Sequence, residues 1–117
     1  MNSIIDKIEL KKSKAHFIVE IIEYVRNAVL TKNIIKKTTG NIIVSSCDAG
    51  EELAGKTSAF DTFIQIIDGT AQVTINNKKY KLRLGEGIVI PAHSIHCFNA
   101  NEQFKMISTI IKSGYEV

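Results

Sequence analysis

The sequence contains no tryptophan, one proline, two cysteines and two arginines, Arg26 and Arg83, among its 117 residues. Each scarcity removes a class of function. A protein that stacks single-stranded bases or grips phosphates uses aromatic side chains and clustered arginine. Here the basic residues are almost all lysines scattered along the chain, for a net charge of only +3, so no nucleic-acid partner is expected. The densest basic cluster, Lys11, Lys12 and Lys14, reads as a solubilising terminal segment. Cys47 and Cys97 stand far apart with no CxxC spacing, which excludes a zinc knuckle and a dithiol redox motif. They read as free buried thiols of a cytoplasmic protein. No apolar run approaches the roughly 18 residues of a membrane span, and no basic-then-apolar leader opens the chain. A membrane partner is therefore not expected either. The single proline and seven glycines exclude collagenous and low-complexity chains, and the length suits one domain.

What is abundant is β-branching. Isoleucine, valine and threonine number 20, 7 and 8, against five leucines. Their branched Cβ atoms restrict χ1 and suit the pleated surface of a strand better than a helix. After about residue 28, segments of strand length recur between turn signals: 29–35, 41–47, 61–67, 70–75, 78–82, 87–90, 96–99 and 104–111. Asp68-Gly69 and Asn76-Asn77 are pairs that tolerate positive φ, and Thr39-Gly40-Asn41 supplies another tight corner, so consecutive antiparallel hairpins are expected. No helical pattern separates the strands, which excludes a parallel βαβ sheet. The expected class is all-β, a closed barrel or a double-sheet jelly roll that hides its strand edges. Residues 1–28 form an arm and a short helical or strand segment, and 29–117 form the barrel domain.

The stretch Gly85-Glu86-Gly87-Ile88-Val89-Ile90-Pro91-Ala92-His93-Ser94-Ile95-His96 resembles the second motif of the cupin family, G-x5-P-x-G-x2-H-x3-N. Gly85, Pro91 and His96 match in register; His93 stands where the family has glycine, and Asn99 is displaced by one residue. The first motif, G-x5-H-x-H-x3,4-E-x6-G, lays onto Gly50 through Gly69 with both end glycines in place. Its two histidines fall on Lys56 and Ser58 and its glutamate on Thr62. His96 alone keeps the family's metal-ligand residue. The chain looks like a small single-domain cupin with a degenerate ligand motif, and the resemblance implies a jelly-roll barrel that commonly forms homodimers.

A metal centre of three imidazoles and a carboxylate loses most of its affinity when three ligands are gone. The residues at the positions where the resemblance places ligands, His96, Lys56, Ser58 and Thr62, are then the candidate groups for binding a small molecule, anions included, with no cofactor. Lys56 is either a desolvated amine that meets a ligand carboxylate or a lysine that reaches from the barrel mouth to water. The alternative is a metal-dependent enzyme of dioxygenase, isomerase or lyase type with a reduced ligand set centred on His96, with His93 as a further ligand. A third reading is a structural dimer in which Ile4, Ile5, Ile8 and Leu10 pack on a partner barrel. Strand parity keeps Asp61 off the ligand face and turns Cys97 away from the pocket. His16 reads as structural or solvated, and Phe60, Phe63, Phe98, Phe104 and Tyr80 as barrel packing.

Overall fold

The computed structural model describes the backbone of residues 2–6 and 8–115, and the side chains of all of these except residues 2, 3, 5, 6 and 54–56. Ten strands run in the order β1 (Asn2–Asp6), β2 (Ala28–Lys37), β3 (Gly40–Cys47), β4 (Glu52–Thr57), β5 (Thr62–Gly69), β6 (Ala71–Ile75), β7 (Lys78–Leu82), β8 (Gly87–Ile90), β9 (Ile95–Asn99) and β10 (Phe104–Ile111). A single 3-10 turn, Ile18–Glu20, lies between β1 and β2. The strands form a six-stranded sheet ordered β1-β2-β3-β10-β5-β8 and a four-stranded sheet ordered β4-β9-β6-β7. All neighbours are antiparallel except β1 and β2. This is the expected jelly roll, and the strand ends fall within a residue or two of those read from the alternation.

Its connections differ from consecutive hairpins. Only β2–β3 and β6–β7 pair as antiparallel sequence neighbours, while β1 and β2 pair in parallel. The other long ladders, β3–β10, β5–β10, β5–β8, β4–β9 and β6–β9, join distant segments, because two sheets can enclose a core only if the chain passes between them. Asn76 and Asn77 do form a two-residue hairpin turn, both at positive φ (47° and 70°), as that turn requires. Asp68-Gly69 does not. It ends β5 where the chain leaves the six-stranded sheet for the four-stranded one. Strand β4, which carries Lys56 of the first motif, and the parallel strand β1 are absent from the eight segments that the alternation marked.

Period-two alternation explains the interior. On β5, Thr62, Ile64 and Ile66 point inward and are buried, while Phe63 and Gln65 point out. Register extends these inward positions across the sheet in rows: Val29–Cys47–Phe104, Thr31–Ser45–Met106–Ile66, and Asn33–Ile43–Ser108–Ile64–Ile88. The first row closes one end of the barrel with Val73, Phe98 and Ala100 from the facing side. Phe63 is 43% exposed, so it is not barrel packing; its strand position faces away from the core. Phe60 is also outside the core cluster and stacks on Tyr115 with ring centroids 5.6 Å apart. Phe98 and Phe104 are core residues, and Tyr80 is partly buried against the core cluster.

The segment before β2 is bonded to the outer face of the large sheet. There the row Leu30–Ser46–Lys105–Asp68 meets the chain between residues 19 and 24. The Lys105 ammonium donates to the Val19 carbonyl and lies 4.9 Å from the Tyr24 ring centroid. Ser46 Oγ donates to the Glu23 carbonyl at 2.7 Å, Lys32 Nζ to the Ile21 carbonyl at 3.2 Å, and Tyr24 Oη to Asp68 Oδ2 at 2.6 Å. Desolvation, reinforced by the Asp68 carboxylate, pushes the Tyr24 phenol well above its ordinary range, so this donor stays protonated. Ile22 is buried against the same face. The strap explains why Lys105, a charged residue in mid-strand, is buried: it stands on the outward face and is covered there. Among the described residues no helix is long and apolar enough to cross a membrane.

Candidate functional site

At the end of the barrel opposite the Val29–Cys47–Phe104 row, the sheets separate around a cavity of about 290 Å³. The large sheet contributes Thr31, Ile43, Ser45, Thr62, Ile64, Met106, Ser108 and Ile110 to its wall, and the other side contributes Leu53, Thr57, Ser58, His96 and Phe98. The lining is thus aliphatic and aromatic surface interrupted by six hydroxyls and one imidazole. No Asp, Glu, Lys or Arg is among these lining residues.

The first and second motifs converge here. Ser58, Thr62 and His96, distant in sequence, face one cavity. Lys56 lies directly opposite His96 in the β4–β9 ladder, while its side chain is outside the described residues. The His96 ring meets the edge of Phe98 at a centroid distance of 5.9 Å and an interplanar angle of 79°. Ser58 Oγ accepts the Phe60 backbone N–H at 3.1 Å, which leaves its hydroxyl proton for another acceptor. Four hydroxyl residues escaped the motif reading: Ser45, Ser108, Thr31 and Thr57. The first two sit at inward positions of otherwise apolar alternations, Ile43-Ser45-Cys47 and Phe104-Met106-Ser108-Ile110. Parity alone marks them as buried hydroxyls; their proximity to Thr62 needs the β3–β10–β5 pairing.

His93 does not reach this wall. It is exposed at the Pro91–Ser94 corner with φ of 66°, a left-handed backbone that glycine adopts with least strain and that explains why a glycine suits this motif position. Its N–H donates to the Ser58 carbonyl at 2.6 Å, and the Asp61 carboxylate accepts the Ala92 N–H at 2.8 Å, so both residues pin the corner. His16 is on the strap side, its Nε2 3.2 Å from the Lys11 carbonyl oxygen.

The donor set does not fit a three-histidine, one-carboxylate centre. Of its four positions, the described side chains supply one imidazole and two alcohols, and alcohols hold divalent metals poorly because they remain protonated at neutral pH. Among the described residues no group of three His, Cys, Asp or Glu is placed to hold a metal ion.

Neither cysteine lines the cavity. Cys47 is buried, and desolvation, with Glu51 and Asp48 adding to it, pushes its thiol up to about 11. Cys97 is only half-buried, in a surface groove beside Glu52 and Thr74, which corrects the expectation of two buried thiols. At pH 8 the Cys47 thiolate is scarce as well as inaccessible. Ellman's reagent is therefore expected to titrate one thiol per folded chain, the one lost in Cys97→Ser, and two in denaturant. Rapid reaction of both in the folded protein would contradict the buried placement of Cys47.

The jelly roll with its interior cavity has the fold of a small single-domain cupin barrel, with Lys56, Ser58 and Thr62 at three of the positions where the resemblance places metal ligands. The chain is similar to a conserved protein of unknown function from Streptococcus pyogenes, with a TM-score of 0.86 and 25% identity over 97% of both chains. It is similar to a cupin superfamily protein from Desulfitobacterium hafniense, with a TM-score of 0.84 and 24% identity over 91% of this chain and 97% of that one. A cupin 2 conserved barrel domain protein from Leptotrichia buccalis gives 0.78 and 26%, over 80% of this chain and 46% of that one. Less similar barrels include a salicylate 1,2-dioxygenase from Pseudoaminobacter salicylatoxidans, at 0.67 and 20%, over 71% of this chain and 26% of that one. No protein-family model and no curated protein matches the chain.

Proposed function

We propose that this protein binds a small molecule inside its barrel without a complete metal site. The observation that carries this reading is an open 290 Å³ cavity whose polar groups, at the positions where the resemblance places metal ligands, include Ser58, Thr62 and His96. Apolar walls with a few fixed polar groups are the usual make-up of a ligand pocket, and about 300 Å³ is the low end of their size range. In this reading His96, Ser58 and Thr62 orient the ligand by hydrogen bonds, Lys56 acts from the strand facing His96, and Phe98 and Met106 supply contact area. Neighbours with this fold range from a protein of unknown function to a dioxygenase, so the fold does not choose a reaction.

Two measurements on one tag-free preparation test it. Elemental analysis is expected to find no stoichiometric Fe, Mn, Ni or Zn, and a fragment screen by thermal shift is expected to find stabilising compounds whose effect is lost in Thr62→Val and His96→Ala. Near-stoichiometric metal that disappears in His96→Ala would replace this reading with the metal-dependent enzyme. A homodimer belongs to the same proposal: Phe63 and Val89, 43% and 57% exposed, are paired side by side on the outer face of the large sheet. Sedimentation equilibrium of that sample showing only monomer would remove the dimer and leave the cavity reading intact.

A further inference from the structure

The chain passes from the small sheet to the large one through residues 58–61, and it does so beside the cavity. Thr57 and Ser58 at the start of this loop and Thr62 just after it all line the cavity, from opposite sides. The loop lies outside the ladders, since β4 pairs with β9 up to Thr57 and β5 pairs with β8 and β10 from Thr62 onward. Ala59 and Asp61 are exposed and Phe60 is only half-buried, so little apolar burial holds it. What holds it is a small set of contacts on two sides. On one side the Ser58 carbonyl accepts the His93 N–H at 2.6 Å, and the Asp61 carboxylate accepts the Ala92 N–H at 2.8 Å. On the other, Tyr115 Oη accepts the Asp61 N–H at 2.9 Å, and the Tyr115 ring meets Phe60 with centroids 5.6 Å apart.

Tyr115 reaches the loop from the large sheet. Strand β10 ends at Ile111, next to the cavity residue Ile110, and the Lys112 N–H donates to the Thr39 carbonyl at 2.7 Å. Gly114, with φ of 86°, then bends the chain toward the loop. Asp61 is thereby tied by its N–H to the tail and by its carboxylate to the Pro91–Ser94 corner. A displacement that breaks one tie loads the other, because both attach to a single residue. The strands on either side are held by continuous ladders, so the loop is the part of the cavity rim that opens as a unit at least cost.

Resting on the reading of the cavity as a ligand site, we propose that residues 58–61 are its door and that Tyr115 is the latch. A small molecule enters and leaves when the loop swings away from Tyr115 and from the corner, and the latch sets the exchange rate. Ser58 lines the cavity while its Oγ accepts the Phe60 N–H, so it moves with the door, and closing restores a hydroxyl to the wall. A latch that acts equally on the empty and the filled barrel changes entry and exit by one factor and leaves affinity nearly constant.

Full-length wild type, Tyr115→Phe and Tyr115→Ala are compared in two ways. Amide hydrogen exchange reads the opening of the loop, and fluorine exchange NMR with para-fluorophenol and para-fluorobenzoate, a neutral and an anionic probe, reads passage through it. Labelled Ile64 and Met106 methyls report occupancy of the cavity. Tyr115→Ala loses both the hydrogen bond and the ring contact. Exchange of the Ala92 and His93 amides, which are bonded to the loop and not to Tyr115, is expected to accelerate about fivefold or more, and less in Tyr115→Phe, with the β6 amides unchanged. Association and dissociation of whichever probe occupies the cavity should accelerate together, with Kd constant within about twofold. Unchanged Ala92 and His93 amides, or β6 amides accelerated equally, would overturn the latch, and unchanged probe kinetics would overturn the door; the cavity reading survives each of these. Faster dissociation alone, with Kd weakened in proportion, would make Tyr115 a support of the wall and overturn gating. No shift of either methyl with either probe up to about 10 mM would overturn the cavity reading and the door together.

Discussion

Replacing Phe104 with alanine is expected to destabilise the protein by about 4 kcal/mol, read as a lower urea midpoint with an unchanged m-value. Phe104 is 0% exposed and occupies the inner row with Cys47 and Val29, at the end of the barrel that is filled rather than hollow. Its ring centroid lies 6.5 Å from that of Phe98, which in turn carries the edge contact with His96. Truncation removes the transfer free energy of the ring and leaves a void that β-strands, tied on both sides, cannot close. The effect should extend to the ligand cavity, because Phe98 separates the two spaces. Phe104→Leu, which keeps much of the volume, should cost well under half as much. A loss below about 1.5 kcal/mol for the alanine variant would mean that this end of the barrel repacks freely.

Gly69→Ala is the second large effect, expected at about 3 kcal/mol or more by the same measurement. Two costs coincide there. The backbone has φ of 70°, and a Cβ would stand 2.1 Å from the Gln103 carbonyl oxygen and 3.0 Å from Phe104 Cα. Both contacts are with backbone, so no side-chain rotation relieves them. Gly50 supplies the control: its φ is 85° with nothing within 4 Å of the added Cβ. Gly50→Ala should therefore show the conformational cost alone, about 1 kcal/mol. The difference between the two variants measures the close approach of β5 to β10 where the chain crosses between sheets. Equal losses would show that the crossing relaxes.

Those two glycines also show which parts of the family pattern were legible and why. Gly50, Gly69 and Gly85 all have positive φ, so the motif glycines are backbone requirements that the sequence displays directly. His93 has φ of 66° without glycine's freedom, and its side chain points to solvent, which settles its place better than its spacing from His96 did. The short turns were legible for the same local reason where they were true hairpins, as at Asn76-Asn77. Asp68-Gly69 carries an equal local signal but serves a sheet crossing, because the next strand pairs with β7 and β9 instead of returning to β5.

The candidate site was half legible. The motif spacing brought Ser58, Thr62 and His96 forward, and the fold places all three on one cavity. Ser45 and Ser108 carry no motif signal. Each is a small polar residue within an inward apolar alternation, and such a residue is as compatible with a tolerated buried hydroxyl as with a ligand contact until its neighbours are known. Lys105 is the converse case. A charged side chain usually faces solvent, yet this one is 8% exposed because the strap lies over it and the Val19 carbonyl accepts a hydrogen bond from its ammonium.

By itself, the sequence determined which segments extend, which of their faces are apolar and where the chain must bend, since β-branching, period-two alternation and positive-φ residues act over a few neighbouring residues. The tertiary structure decided which strands lie side by side. Pairing β10 between β3 and β5 joins residues 45, 108 and 62 across one sheet, and docking residues 19–24 buries the opposite face. Alternation specifies a face but not a partner, so the cavity wall and the covered lysine exist only after long-range closure of the two sheets.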